Sequence, residues 1–166
     1  PELALTGYTC GDLFRDRALL SGAERALASL LEETAGLDIL CAVGVPVPWN
    51  GALYNCAAVL ANGEIWALVP KTYLPNGNEF YETRWFASGA GVPETVSRDG
   101  LTFPLSADTL FEMGGFVFGV ELCEDLWVPL PPSSHLAVEG ADLILNPSAS
   151  NALAAKHAYR RGLLSQ

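Results

Sequence analysis

The sequence predicts an α/β domain, and three observations carry that prediction. Short runs that are apolar almost throughout, over residues 38–47, 115–122 and 141–145, read as strands covered on both faces. Residues 16–35 place apolar side chains at helical spacing. Strands and helices then alternate along the chain instead of segregating into blocks.

Each element has its own signal. In residues 16–35, Leu19, Leu20, Ala23, Ala26, Leu27, Leu30 and Leu31 form one face, with Glu24, Arg25, Glu32 and Glu33 opposite. Gly36 suits the end of that helix. Residues 38–47 follow as a strand. Residues 54–60 and 64–69 flank Ala61-Asn62-Gly63, a hairpin signal. Residues 75–105 are rich in turn residues (Asn76-Gly77-Asn78, Ser88-Gly89-Ala90-Gly91) and read as loop, mostly plain surface connection. Residues 115–122 form the next strand. Residues 133–139 read as a helix with Ser133 or Ser134 as its N-cap. Residues 141–145 read as a buried strand, and 151–164 as a helix with Lys156, Arg160 and Arg161 on one face.

Composition narrows the function. Half of the 166 residues are hydrophobic, enough for one packed domain and against disorder. The net charge of −10 argues against a nucleic-acid partner, since phosphate binding needs a basic face. No apolar run approaches the roughly 18 residues of a membrane span. The four cysteines lack Cys-x-x-Cys spacing, and with two scattered histidines no zinc site is expected. Cys41 and Cys56 lie in apolar runs and read as core. Cys10 reads as an exposed free thiol, and the setting as reducing and cytoplasmic.

Cys123 is different. It ends an apolar strand and is followed at once by Glu124-Asp125-Leu126-Trp127, a place where functional side chains often sit. Neither His135 nor His157 has flanks that suggest a base, although a Cys–His arrangement stays open because the partners need not be adjacent in sequence. There is no Gly-x-Cys-x-Gly elbow. Lys71, one of two lysines, ends the strand Glu64-Ile65-Trp66-Ala67-Leu68-Val69-Pro70. A cation near a thiol steadies the thiolate and can hold an oxyanion. Glu2 stands among apolar residues, where a carboxyl can act as a base near neutral pH. Read locally, it is a terminal acid at a frayed end.

Together these stretches resemble the nitrilase, or carbon–nitrogen hydrolase, superfamily. Pro1-Glu2-Leu3, Pro70-Lys71-x-x-Leu74-Pro75 and Glu121-Leu122-Cys123-Glu124-Asp125 are similar to its three boxes, in order. Within it, several stretches resemble the glutaminase domain of the glutamine-dependent NAD+ synthetase branch. These are Leu3-Ala4-Leu5-Thr6-Gly7-Tyr8 with Asp12-Leu13-Phe14, Glu79-Phe80-Tyr81-Glu82, Cys123 through Pro129, and Asn146-x-Ser148-Ala149-Ser150.

The resemblance implies an α-β-β-α sandwich truncated at both ends, with residues 1–166 as a partial hydrolase domain and the synthetase domain absent. It implies hydrolysis of the glutamine side-chain amide. Cys123 is then the nucleophile, Glu2 the base and Lys71 an oxyanion holder with the backbone N–H of Glu124. Glu79 supports Lys71 or the base. Glu82, Trp127, Ser150 and Lys156 bind substrate, though Lys156 also reads as a plain solvated helix residue. No metal and no cofactor serve this reaction, and ATP and Mg2+ belong to the absent synthetase domain. The implied partners are glutamine, that synthetase domain and, at full length, further copies in a homo-oligomer. On this reading Lys71→Ala disables chemistry more than folding. Two alternatives remain: a stand-alone amidase or nitrilase of the superfamily, and an inactive binding domain.

Overall fold

The computed structural model describes residues 1–92, 94–98 and 101–165. Helix α1 (Arg17–Thr34) starts on Asp16, whose side chain accepts the Ala18 N–H at 2.7 Å. Strands β1 (Leu40–Trp49), β2 (Ala52–Ala61) and β3 (Glu64–Pro70) form an antiparallel meander. The turn between β2 and β3 places Asn62 and Gly63 at φ 52° and 75°, as a tight hairpin of this hand demands.

The stretch read as loop, 75–105, contains a hairpin that the sequence reading missed. Strands β4 (Glu94–Arg98) and β5 (Leu101–Leu105) pair antiparallel, and β5 joins β3 in parallel. The signal was a period-2 alternation: Val96, Phe103 and Leu105 are buried while Thr95, Ser97, Thr102 and Pro104 face outward. Turn residues upstream masked it. The sheet order is β1-β2-β3-β5-β4.

A second sheet holds β6 (Leu110–Met113), β7 (Phe116–Val120) and β8 (Leu143–Leu145) in that order, with β8 parallel to β7. Helix α2 (Pro132–Val138) covers this sheet, its Leu136 packing where a Cβ on Gly119 would lie 2.7 Å from Leu136 Cδ1. Helix α3 (Lys156–Leu164) closes the described chain.

The layering follows from alternation within β2. Cys56, Ala58 and Leu60 pack with Val45, Val47 and Leu68 beneath α1. Ala57 and Val59 face the other way, with Ala67 and Val69, onto Phe111, Phe118 and Val120 of the second sheet. A strand covered on both faces must be apolar throughout, which is the pattern seen. The result is an α-β-β-α sandwich.

Four local expectations are corrected. Helix α2 starts at Pro132 without a serine cap, because proline fits the first helical position and the Ser133 N–H goes to Glu121 Oε2 at 2.9 Å. β8 is not buried: Leu143 is 47% exposed, since β8 is an edge strand. α3 begins at Lys156, five residues later than expected, after Ala155 adopts a left-handed φ of 65°. Cys10 is half-buried and its thiol lies 3.1 Å from the Thr6 carbonyl; Cys41 is also half-buried, and Cys56 lies in the core.

Candidate active site

Lys71, Glu2 and Glu82 form the centre of the site. Lys71 follows β3 directly, its N–H still paired with the Asn55 carbonyl at 2.8 Å, so the strand delivers it to a fixed place. It is 1% exposed, and Nζ lies 2.6 Å from both Glu2 Oε1 and Glu82 Oε1. Burial pulls an ammonium toward neutrality, but the two carboxylates outweigh it and raise the Lys71 pKa. Glu82 is raised by burial, opposed by Lys71.

Glu2 arrives from the chain start because β1 has a glycine facing it. A Cβ on Gly44 would lie 2.2 Å from the Leu3 backbone nitrogen, so any larger residue would displace this segment. Glu2 is 2% exposed; far from fraying, it accepts Lys71 and Asn55 on Oε1 and the Ala149 N–H on Oε2 at 3.1 Å. Asn55, a buried amide within the apolar strand β2, bonds Glu2 Oε1 at 2.8 Å and Glu82 Oε2 at 3.3 Å. The Tyr8 hydroxyl donates to Glu82 Oε1 at 2.6 Å, and burial with that carboxylate raises the phenol's pKa.

Cys123 enters from the opposite sheet. The chain leaves β7, continues its ladder through Glu121 N–H to Leu145 O and Cys123 N–H to Pro147 O, then turns sharply at Cys123. Its φ of 44° is a left-handed value that costs a non-glycine residue energy, and it opens the 3-10 turn Cys123–Trp127. The thiol is buried beside Glu2 and Lys71. Burial, with the charge of Glu2, pushes its pKa up to about 11 against the pull of Lys71. The proton therefore stays on sulfur near neutral pH and a base must remove it. The Ala149 N–H and the Ser148 side chain oppose that rise, pulling the thiol's pKa down.

Asp125 ties the two loops together. Its carboxylate accepts Tyr73 N–H at 2.7 Å, Thr72 N–H at 3.1 Å and Leu122 N–H at 3.0 Å. Despite those bonds, burial raises its pKa to about 6.

The other expected residues divide into two groups. Glu82, expected to line the substrate pocket, lies buried as the second carboxylate on Lys71. Glu79, expected to support Lys71 or the base, is exposed and accepts from the Asn151 amide. The reason is the 3-10 turn Glu82–Arg84, which points Glu82 inward and leaves Glu79 outside. Asn151 also accepts Lys156 Nζ at 2.5 Å. The Lys156 ammonium sits 5.1 Å from the Trp127 ring centre, and Tyr159 stacks on that ring at 5.7 Å. Glu79, Asn151, Lys156 and Trp127 thus form a charged rim. Ser150, half-buried, follows Ala149 directly, and half-buried Glu124 follows Cys123. His135 and His157 are exposed.

Sequence reasoning missed Asn55, Ser148, Ala149 and Asp125 as site residues. Asn55 carried a signal as a lone amide in an otherwise apolar strand, and Asp125, Ser148 and Ala149 stood within stretches that resemble the family without a role assigned to them. A largely apolar cleft of about 710 Å³ between α1 and the five-stranded sheet is lined by none of these residues. Among the described residues, no group of three or more His, Cys, Asp or Glu side chains could hold a metal ion.

A carbon–nitrogen hydrolase family model matches residues 1–162. The chain belongs to that family. This carbon–nitrogen hydrolase chain is 40% identical over 153 residues to the glutamine-dependent NAD(+) synthetase of Mycobacterium tuberculosis H37Rv, covering 90% of this chain and 22% of that protein. A rat protein of the same name is 30% identical over 163 residues, again with 22% of its length covered. The chain therefore spans about a fifth of these curated relatives. The crystal structure of a glutamine-dependent NAD(+) synthetase from Cytophaga hutchinsonii superposes with a TM-score of 0.84 at 32% identity, over 98% of this chain and 26% of that one. An amidase of the nitrilase superfamily from Nesterenkonia shares the fold, with a TM-score of 0.68 at 22% identity. No helix of the described residues is long and apolar enough to cross a membrane.

Proposed function

We propose that this chain hydrolyses the side-chain amide of glutamine to glutamate and ammonia. The observation that carries the reading is Lys71 held between Glu2 and Glu82, next to a cysteine whose burial keeps its proton on. Cys123 Sγ attacks the carboxamide carbon while Glu2 takes the thiol proton. Glu2 then passes that proton to the departing nitrogen, which leaves as ammonia, and a thioester remains. Water attacks the thioester with Glu2 as base; glutamate leaves and the thiol is restored.

The hydrogen bonds support these roles. Glu2 Oε2 accepts only the Ala149 N–H among the bonds seen, so a lone pair remains for a proton. An ammonium has three N–H donors, and two of those on Lys71 go to Glu2 and Glu82. The third, with the backbone N–H of Glu124, holds the oxyanion. Losing one such donor typically costs about 10²–10³ in rate.

The rim suits the amino-acid end of glutamine, which carries both charges. In this reading Lys156 takes the α-carboxylate and Glu79 the α-ammonium, with Trp127 and Ser150 lining the approach. The reaction needs no cofactor. In the whole protein the ammonia passes to a synthetase domain of the same chain, which uses ATP and Mg2+ to form NAD+, in a cytoplasmic homo-oligomer. The likeness to glutamine-dependent NAD(+) synthetases supports the coupling to NAD+ formation.

The direct test is covalent trapping. An electrophilic glutamine analogue is expected to add its mass to the peptide bearing Cys123, with protection by free glutamine. Labelling that glutamine does not slow would contradict the substrate assignment.

A further inference from the structure

The charged rim is built around an amide to which the proposed chemistry gives no task. Asn151 lies between β8 and α3 and is half-buried. Its Nδ2 donates to Glu79 Oε1, 72 residues away in sequence, and its Oδ1 accepts Lys156 Nζ at 2.5 Å. A carboxylate only accepts and an ammonium only donates, so the partners fix which way the amide faces.

Both partners are held from behind. Glu79 sits in a turn that the Glu82 N–H closes on the Pro75 carbonyl at 3.1 Å. Lys156 opens α3 after the left-handed Ala155, and its N–H returns to the Leu153 carbonyl at 3.2 Å. Its ammonium lies 5.1 Å from the Trp127 ring centre, and the Arg160 guanidinium covers the same ring at 5.5 Å. Trp127 ends the turn that Cys123 opens, so this ring ties the rim to the nucleophile.

The amide also keeps two charges from cancelling. Long side chains of opposite charge at an open rim can close into an ion pair. Among the described residues no ion pair joins Glu79 and Lys156. Asn151 uses one of the three N–H donors of the lysine and one oxygen of the glutamate. Two donors and one carboxylate oxygen are left over, side by side and one amide apart. An α-amino acid presents the complementary pair, a carboxylate and an ammonium on one carbon.

We propose that Asn151 is a specificity-determining positioning residue: it holds Glu79 and Lys156 apart and open, so that the site selects amides carrying both an α-ammonium and an α-carboxylate. The assignment rests on the glutaminase reading and names the residue that sets its preference for a zwitterionic substrate.

Two substitutions separate this role from plain packing. Asn151→Ala removes the spacer. Asn151→Asp keeps the shape but turns the donor facing Glu79 into an acceptor, which repels that carboxylate and neutralises Lys156. A residue that only fills space tolerates the second change.

The experiment combines steady-state glutamine hydrolysis with shielding of Cys123 from iodoacetamide by glutamine, in the whole chain. Iodoacetamide is a neutral amide without α charges, so its rate in the absence of glutamine is the control. Each variant is expected to raise KM for glutamine about tenfold, the size of a lost hydrogen bond to a charged group. kcat should stay within about twofold, because contacts at the far end of the substrate are lost equally from the ground and transition states. The glutamine concentration that halves alkylation should rise by the same factor as KM, while alkylation without glutamine keeps its wild-type rate. Asn151→Asp serves alone if Asn151→Ala does not fold. A wild-type KM in either folded variant would overturn the assignment, as would a loss confined to kcat or slower alkylation without glutamine. A wild-type chain that neither hydrolyses glutamine nor is shielded by it would overturn the glutaminase reading and the assignment with it, so the wild type alone tells the two failures apart.

Discussion

The Asp125 carboxylate, two residues after Cys123, accepts the backbone N–H of Tyr73, two residues after Lys71, at 2.7 Å. The turn that carries the nucleophile and the turn that follows the lysine are therefore one mechanical unit, although they come from different sheets. Because burial raises Asp125 from 3.8 to about 6, its titration has a definite sign. A folded-state pKa above the unfolded value contributes stability that is complete below about pH 4 and lost as pH rises through 6. Glu82, also raised, adds in the same direction. Asp125→Asn should flatten this slope, so the wild-type melting temperature falls more than the variant's between pH 4 and 7. The variant should also be less stable at pH 4, since its NH2 faces N–H donors. Thermal melts across that range check both.

Lys71→Ala should cost both activity and folding. The sequence alone suggests a lysine whose loss harms chemistry more than structure. Its burial between two carboxylates changes that expectation, because removal leaves Glu2 and Glu82 facing each other without a cation. Breaking such a buried pair costs about 3–5 kcal/mol. Urea denaturation at pH 7 is expected to show a loss of that order. A smaller deficit is expected at pH 5, where a carboxyl can protonate.

Asn55→Leu keeps the volume in β2 but removes the donor shared by Glu2 and Glu82. Buried carboxylates that lose a donor are expected to cost roughly 1–3 kcal/mol of stability. Glutamine hydrolysis should fall at least about tenfold, equivalent to 1.4 kcal/mol in the barrier. The effect should appear in kcat more than KM, since Asn55 orients the base and is not part of the charged rim.

Gly44→Ala tests how Glu2 is placed. The added methyl would meet the Leu3 nitrogen, the Pro1 carbonyl and Glu2 backbone carbon at 2.2–2.8 Å, atoms that cannot swing aside. The segment must shift as a whole. Misplacement by about 1 Å can cost roughly 10² in rate. Steady-state hydrolysis is expected to fall by that order while alkylation of Cys123 persists.

Much of this was legible in the sequence. The apolar runs that became β1 and β7 announced covered strands, while the third, β8, lies at an exposed sheet edge, and the three boxes pointed to Glu2, Lys71 and Cys123. What stayed hidden depends on which way a short turn points. Glu79 and Glu82 lie three residues apart, and nothing local says that the turn at Glu82–Arg84 buries the second and exposes the first. Asp125 and Glu121 stood in the cysteine box with no role of their own. Their actual partners, the N–H groups of Thr72 and Tyr73 after β3 and of Ser133 in the first turn of α2, are brought near only by the fold. The hairpin of β4 and β5 was hidden by the glycines and serine ahead of it, while its own alternation was short.

The most direct measurement is ammonia release from glutamine by the purified chain beside its Cys123→Ala variant, both verified as folded. Release by the wild type that disappears in the variant is the expected result. Equal release from both, or none from a folded wild-type chain whose Cys123 is free and alkylatable, would contradict hydrolysis of glutamine through Cys123.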